Sequence, residues 1–124
     1  MAQKRVLLAE DEERWHRFVV ESLEDVDIEL TVATTYGETV RALRAGPYDL
    51  LILDNTLHEC NNVSLEFIQM CKRFCSWVPK YIVHSAGLPA HIERDVKALG
   101  AEYLRKDYSY DRKAFRDFVL ERLA

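Results

Sequence analysis

The sequence predicts one α/β domain built on a five-stranded parallel sheet with helices on both faces. Three observations carry that prediction. Short apolar runs alternate five times with amphipathic stretches along the 124 residues. The first run, Arg5 to Ala9, is continuous in apolar character instead of switching polarity at each residue, as a strand covered on both faces is. Nothing breaks the alternation: there is no linker, no low-complexity tract and no repeat beyond the strand–helix unit.

Arg5 to Ala9 reads as the first buried strand. Trp15, Phe18, Val19 and Leu23 follow at helical spacing and give the first helix an apolar face. Glu29 to Ala33 is a second, shorter strand. Thr35-Tyr36-Gly37-Glu38 has the form of a capping box, in which a hydroxyl and a carboxylate satisfy the first orphan N–H groups of a helix. Val40 and Leu43 line that helix, and Gly46-Pro47 supplies its stop. Leu50 to Leu53 is the strongest strand signal and ends on Asp54. A polar loop with His58, Cys60, Asn61 and Asn62 leads to a third helix, whose expected inward face is Leu65, Ile68, Cys71, Phe74 and Cys75. Pro79 introduces a fourth strand, Tyr81 to His84. Ile92, Val96 and Leu99 mark a fourth helix that Gly100 can end, and Ala101 to Leu104 is the fifth strand. Phe115, Phe118, Val119 and Leu123 place the last helix.

The composition sets bounds on function. An apolar share of 48% and a charged share of 31% are those of a globular chain, read here as a single domain over residues 1–124. A formal charge of −4 argues against a general nucleic-acid binder, so no direct nucleic-acid partner is expected. No apolar run approaches the ~18–20 residues that span a bilayer, and the start of the chain runs straight into a strand, which leaves no room for a signal-peptide core. Three cysteines make an odd count, with Cys71 and Cys75 in a helical pattern. Those two read as thiols packed in a helix core, and the odd count suits a reduced, cytoplasmic protein.

Right-handed crossovers leave few topologies, and the flavodoxin-like strand order 2-1-3-4-5 is the common one at this length. In that order the chain reverses between strands 1 and 3, and ligands bind outside the strand ends at the reversal. Strand 1 is followed at once by Glu10-Asp11-Glu12-Glu13, and strand 3 by Asp54. Glu10, Asp11 and Asp54 should therefore converge. Carboxylates so placed repel one another unless a cation sits among them, and an oxygen-only donor set suits Mg²⁺. Glu12 and Glu13 read instead as helix-dipole partners. Ser85 ends strand 4 and Lys106 follows strand 5, which adds a hydroxyl and an ammonium beside Asp54. A nucleophilic carboxylate, a metal site and two donors are what phosphoryl transfer requires.

Four segments, one per strand end, resemble the receiver domains of two-component response regulators. They are Val6-Leu7-Leu8-Ala9-Glu10-Asp11-Glu12, Asp49-Leu50-Leu51-Ile52-Leu53-Asp54, Ile82-Val83-His84-Ser85-Ala86 and Gly100-Ala101-Glu102-Tyr103-Leu104-Arg105-Lys106. The resemblance runs from Lys4 to Leu123. It implies that Asp54 accepts a phosphoryl group from a sensor histidine kinase or a histidine phosphotransfer protein. It implies that Glu10, Asp11, Asp54 and the backbone carbonyl of Thr56 bind Mg²⁺, and that Ser85 and Lys106 bond to phosphoryl oxygens. Tyr103 matches the aromatic that switches between inward and outward rotamers. A signalling domain rather than an enzyme is implied. Its output passes to a downstream target protein or a homodimer through the surface of the fourth helix, fifth strand and fifth helix.

Two features depart from that pattern. Asp107 stands where the family usually has proline, and a non-proline cis bond costs ~3–4 kcal/mol, so this loop is expected to be trans and Asp107 could compete for the charge of Lys106. The loop from Leu57 to Ser64 is longer than usual, with His58 and Glu59 near the site. These departures motivate an alternative, a receiver-like interaction module that acts independently of phosphorylation. Enzymes of similar topology fit less well. A haloacid-dehalogenase-type phosphatase would want an aspartate at Thr56, and a flavodoxin would want a glycine-rich loop where this chain has four acids.

Overall fold

Residues along the strands alternate between two apolar cores, one on each face of a single sheet. Leu7, Leu51, Leu53 and Val83 belong to one core, and Val6, Leu8, Leu50, Ile52 and Ile82 to the other. That is why the runs are continuously apolar. The structure, a computed structural model, describes residues 3–58, 60–108 and 111–124.

The sheet comprises β1 (Lys4–Ala9), β2 (Ile28–Ala33), β3 (Leu50–Leu53), β4 (Lys80–Ser85) and β5 (Glu102–Arg105). The strands are parallel, in the order β2-β1-β3-β4-β5, as the strand–helix alternation predicts. The helices are α1 (Glu13–Ser22), α2 (Tyr36–Arg44), α3 (Val63–Phe74), α4 (Ala90–Ala98) and α5 (Arg112–Leu123). Val19, Phe115, Val119 and Leu123 put α1 and α5 on one face, while Leu43, Phe67, Ile68, Ile92 and Val96 put α2, α3 and α4 on the other. No helix among the described residues is long and apolar enough to cross a membrane.

Local chemistry sets the helix ends. Thr35 Oγ1 accepts the N–H of Glu38 at 3.1 Å, while the Glu38 carboxylate accepts the N–H of Thr34 at 2.9 Å, one residue before the position of a standard capping box. Gly46 is required for a reason that lies outside its own segment. A Cβ there would come within 2.4 Å of the Trp77 ring. Gly100 has φ +94°, its N–H reaches the Lys97 carbonyl, and the N–H of Ala101 reaches Val96. This is a Schellman closure, and it spends the N–H of Ala101 on the helix. The fifth strand therefore starts at Glu102, one residue later than Ala101 to Leu104 implies.

Two expectations need correction. Phe74 does not face inward. The buried face of α3 is Val63, Ser64, Phe67, Ile68 and Cys71; at ~100° per residue Phe74 lies within that arc, but it sits in the helix's last turn and stays in solvent. The segment after Asp54 is not plain loop either. Thr56–Leu57 pairs antiparallel with Cys60–Asn61, through a turn in which His58 has φ +53°. Glu59, singled out from the sequence, lies outside the described residues.

Candidate functional site

Strand register brings the site together. Ala9 pairs with Leu53 and Leu53 with Val83, so β1, β3 and β4 end side by side. The ladder continues one step further: Asp54 N–H donates to the Ala9 carbonyl at 2.9 Å, and Glu10 N–H to the Ala33 carbonyl at 3.0 Å. These bonds fix the backbone under both carboxylates. One oxygen from each of Glu10, Asp11 and Asp54 lies within 4.8 Å of the others, so the predicted convergence is present.

Lys106 enters this cluster from the end of β5. Its Nζ lies 2.7 Å from Glu10 Oε1 and 3.1 Å from Asp54 Oδ2, and all three groups are buried. Burial pushes the Glu10 carboxyl up to about 8, with the hydrogen bond and charge of Asp54 adding to the rise and Lys106 opposing it. Burial pulls the Lys106 ammonium down, but the charges of Asp54 and Glu10 outweigh it and the net direction is up. Lys106 therefore stays charged. A divalent ion among the oxygens of Glu10, Asp11 and Asp54 would favour the ionised form of Glu10, and with all three ionised it would offset the two negative charges that Lys106 leaves. With oxygen donors only, the set fits Mg²⁺.

The rest of the predicted set surrounds an open cleft of about 430 Å³ lined by Asp11, Asp54, Thr56, Ser85, Gly87 and Lys106 among others. Asp54 Oδ1 accepts the N–H of Asn55 at 2.7 Å and that of Thr56 at 3.5 Å. Asp11 accepts the N–H of His58 at 2.6 Å, which ties the acidic turn to the ribbon after Asp54. Ser85, nearly buried, donates its hydroxyl to the Gly87 carbonyl at 3.0 Å. Tyr103 is half-buried against the core, its hydroxyl 3.5 Å from the Ser85 carbonyl that it donates to. Asp107 does not compete for Lys106. It receives both Nε and Nη2 of Arg105 at 3.1 and 3.0 Å, and Lys106 to Tyr108 form a single 3₁₀ turn.

Solved structures share this architecture. A CheY-like response regulator receiver domain from Methanospirillum hungatei matches with TM-score 0.83 at 19% identity, over 98% of this chain and 94% of that one. A two-component response regulator from Clostridium difficile matches at 0.81 and 15%, over 98% and 96%. The chain has the receiver-domain fold. The phosphorylated cyanobacterial phytochrome response regulator RcpA is also similar, at TM-score 0.76 and 22% identity over 95% of this chain and 89% of that one. No protein-family model matches the sequence, and no curated protein does. At these identities the likeness to receiver domains is one of fold.

Several residues that shape this receiver-fold site carry no signal in the sequence. Asn55 is buried, its Oδ1 accepting the Ser64 hydroxyl at 2.7 Å and its Nδ2 donating to Asn62 Oδ1 at 3.1 Å. It holds the start of α3 to the end of β3. His84 packs between the rings of Trp15 and Phe115, and burial, helped by the charge of Lys106, pushes its imidazole down to about 3. A hydrophobic cage around a histidine beside the site is invisible until α1 and α5 are placed.

Proposed function

We propose that this domain takes a phosphoryl group on Asp54, with Mg²⁺ bound by Glu10, Asp11, Asp54 and the Thr56 carbonyl, and signals through α4, β5 and α5. The donor is a phosphohistidine of a sensor histidine kinase or phosphotransfer protein in the cytoplasm. An Asp54 oxygen attacks phosphorus, the P–N bond breaks, and its electron pair stays on the imidazole nitrogen, which takes a proton. Mg²⁺, when bound, would neutralise charge on the transferred group. Lys106, already 3.1 Å from Asp54, offers the second cation.

The observation that carries this reading is the Lys106 ammonium lodged between Asp54 and Glu10 at the end of three aligned strands. A surface carboxylate cluster needs no such buried cation. The output follows from Ser85. Its hydroxyl must leave the Gly87 carbonyl to donate to a phosphoryl oxygen, and Tyr103 hangs on the carbonyl of the same residue. A new group with several acceptor oxygens and up to two negative charges pulls on both. Asp107 pairs with Arg105 and leaves Lys106 to Asp54 and Glu10, which supports this reading over a phosphorylation-independent module.

Beryllofluoride, a mimic of an acyl phosphate, tests the proposal. With Mg²⁺ present it should shift the amide resonances of Ser85, Ala86 and Tyr103, and the shifts should vanish in Asp54→Ala. Shifts that persist in that variant, or none in wild type, would count against it.

A further inference from the structure

The site uses the edge of the sheet where the strands end. The opposite edge, where β3 and β4 begin, carries a groove that the proposed chemistry does not use. It lies between the C-terminal ends of α2 and α3, has a volume of about 740 Å³, and is walled by Val40, Leu43, Met70, Phe74 and Trp77. Phe74 separates it from a second hollow of about 620 Å³ that shares Met70 and Phe74.

Two features set this patch apart from ordinary surface. Among the described residues Phe74 is 76% exposed and Val78, just after Trp77 in the chain, 87%, whereas the next most exposed large apolar side chains, Leu120 and Val20, stand at only 40% and 37%. Burying a side chain of this size is worth ~1.5–3 kcal/mol, so leaving two such residues in water is a cost the fold itself does not require. The groove is also rigid on one side. Trp77 meets Tyr48 edge to face at 5.6 Å and lies so close to Gly46 that no larger residue fits there.

The charges around the groove choose its occupant. Arg44 is the charged residue in its lining; the adjoining hollow is lined by Lys72, Arg73 and a single acid, Glu66, with the Arg73 guanidinium 6.0 Å from the Phe74 ring. Among the described residues none of Arg44, Lys72 and Arg73 is paired with a carboxylate. The C-terminal dipoles of α2 and α3 favour basic residues here, but dipoles give no reason for an exposed phenylalanine beside them. A second copy docked through this patch by two-fold symmetry would bring the same basic side chains of both copies into one interface. The complement is a foreign segment with carboxylates.

We infer that this groove docks a partner protein through an apolar anchor side chain flanked by Asp or Glu, and that it does so whether or not Asp54 is modified. The anchor fills the space between Val40, Met70 and Trp77 and covers Phe74, while the acids meet Arg44 and Arg73.

Peptide display against the intact protein tests this, with selected peptides then measured one by one in solution. The expected peptides combine an aromatic or branched aliphatic residue with two or more acids. Their affinity should drop about tenfold or more in Phe74→Glu and in Arg44→Glu/Arg73→Glu, and stay unchanged in Asp54→Ala. Peptides with their acids replaced by lysine should bind the Arg44→Glu/Arg73→Glu variant better than wild type. All three positions are exposed, so the variants should melt within a few degrees of wild type. Selected peptides without an acidic bias, or peptides that bind Phe74→Glu as well as wild type, would overturn the inference. So would a concentration-dependent dimer of the protein that Phe74→Glu abolishes.

Discussion

Replacing Lys106 with methionine keeps most of the side-chain volume and removes only the ammonium. What remains is Glu10 and Asp54, both buried, with no cation between them. Removing one partner of a buried pair typically costs ~3–5 kcal/mol, because the other charge is left uncompensated. For 124 residues the unfolding entropy near the midpoint is roughly 0.26 kcal/mol/K, so ~3 kcal/mol lowers Tm by roughly 10–15 °C. The deficit should depend on pH with a defined sign. The folded pKa of Glu10, about 8, lies above its ordinary 4.5, so the stability it contributes is complete below about 4.5 and is lost as pH rises through about 8. Without Lys106 to oppose the rise, the carboxyl holds its proton to still higher pH, and deprotonation costs more. Thermal melts followed by circular dichroism at about pH 6 and about pH 9, without divalent ions, read this out. The deficit of Lys106→Met should be larger at the higher pH, and Mg²⁺ should narrow it. A deficit that is absent, or that shrinks as pH rises, would refute the picture of an ammonium neutralising two buried acids.

Further predictions rest on other parts of the fold. The folded pKa of His84, about 3, lies below its ordinary 6.5, so the stability it contributes is present above about 6.5 and is lost as pH falls toward 3. Between about pH 7 and about pH 5 the wild type should lose about 2 kcal/mol more than His84→Phe, as measured by urea unfolding; equal losses would put the imidazole in contact with water. Gly46→Ala drives a methyl into the Trp77 ring and should cost ~1–3 kcal/mol, with a smaller effect in a Trp77→Leu background. An additive double variant would deny that contact. Asp11→Asn should weaken Mg²⁺ binding by roughly tenfold or more. Emission from Trp15 reports it, since Lys106 Nζ sits 5.5 Å from that ring, and an unchanged titration would remove Asp11 from the ligand set.

The sheet was legible because its three central strands, β1, β3 and β4, are apolar on both faces, and the convergence of Glu10, Asp11 and Asp54 followed from strand order alone. The positions of Ser85 and Lys106 followed for the same reason, since Ser85 ends β4 and Lys106 directly follows β5 in a parallel register. Legibility stops where side chains from distant segments meet. Phe74 fits a helical period yet stays in water, because period identifies a direction and not whether another element covers it. Phe67, seven residues earlier and only ~20° away around the same helix, is fully buried with the Tyr36 ring packed against it. Asp107 is no rival for Lys106, because Arg105, two residues before it, holds it in a fork, a local pairing that sequence order does not reveal. The ribbon after Asp54 depends on His58 in a left-handed conformation, which its residue type does not announce.

The account stands or falls on Asp54 as the phosphoryl acceptor. Mass spectrometry of the intact protein after treatment with acetyl phosphate and Mg²⁺ tests this most directly. A single added phosphoryl is predicted in wild type, absent from Asp54→Ala and absent when the metal is chelated beforehand. Label that persists in Asp54→Ala, or that forms equally well without a divalent ion, would contradict it.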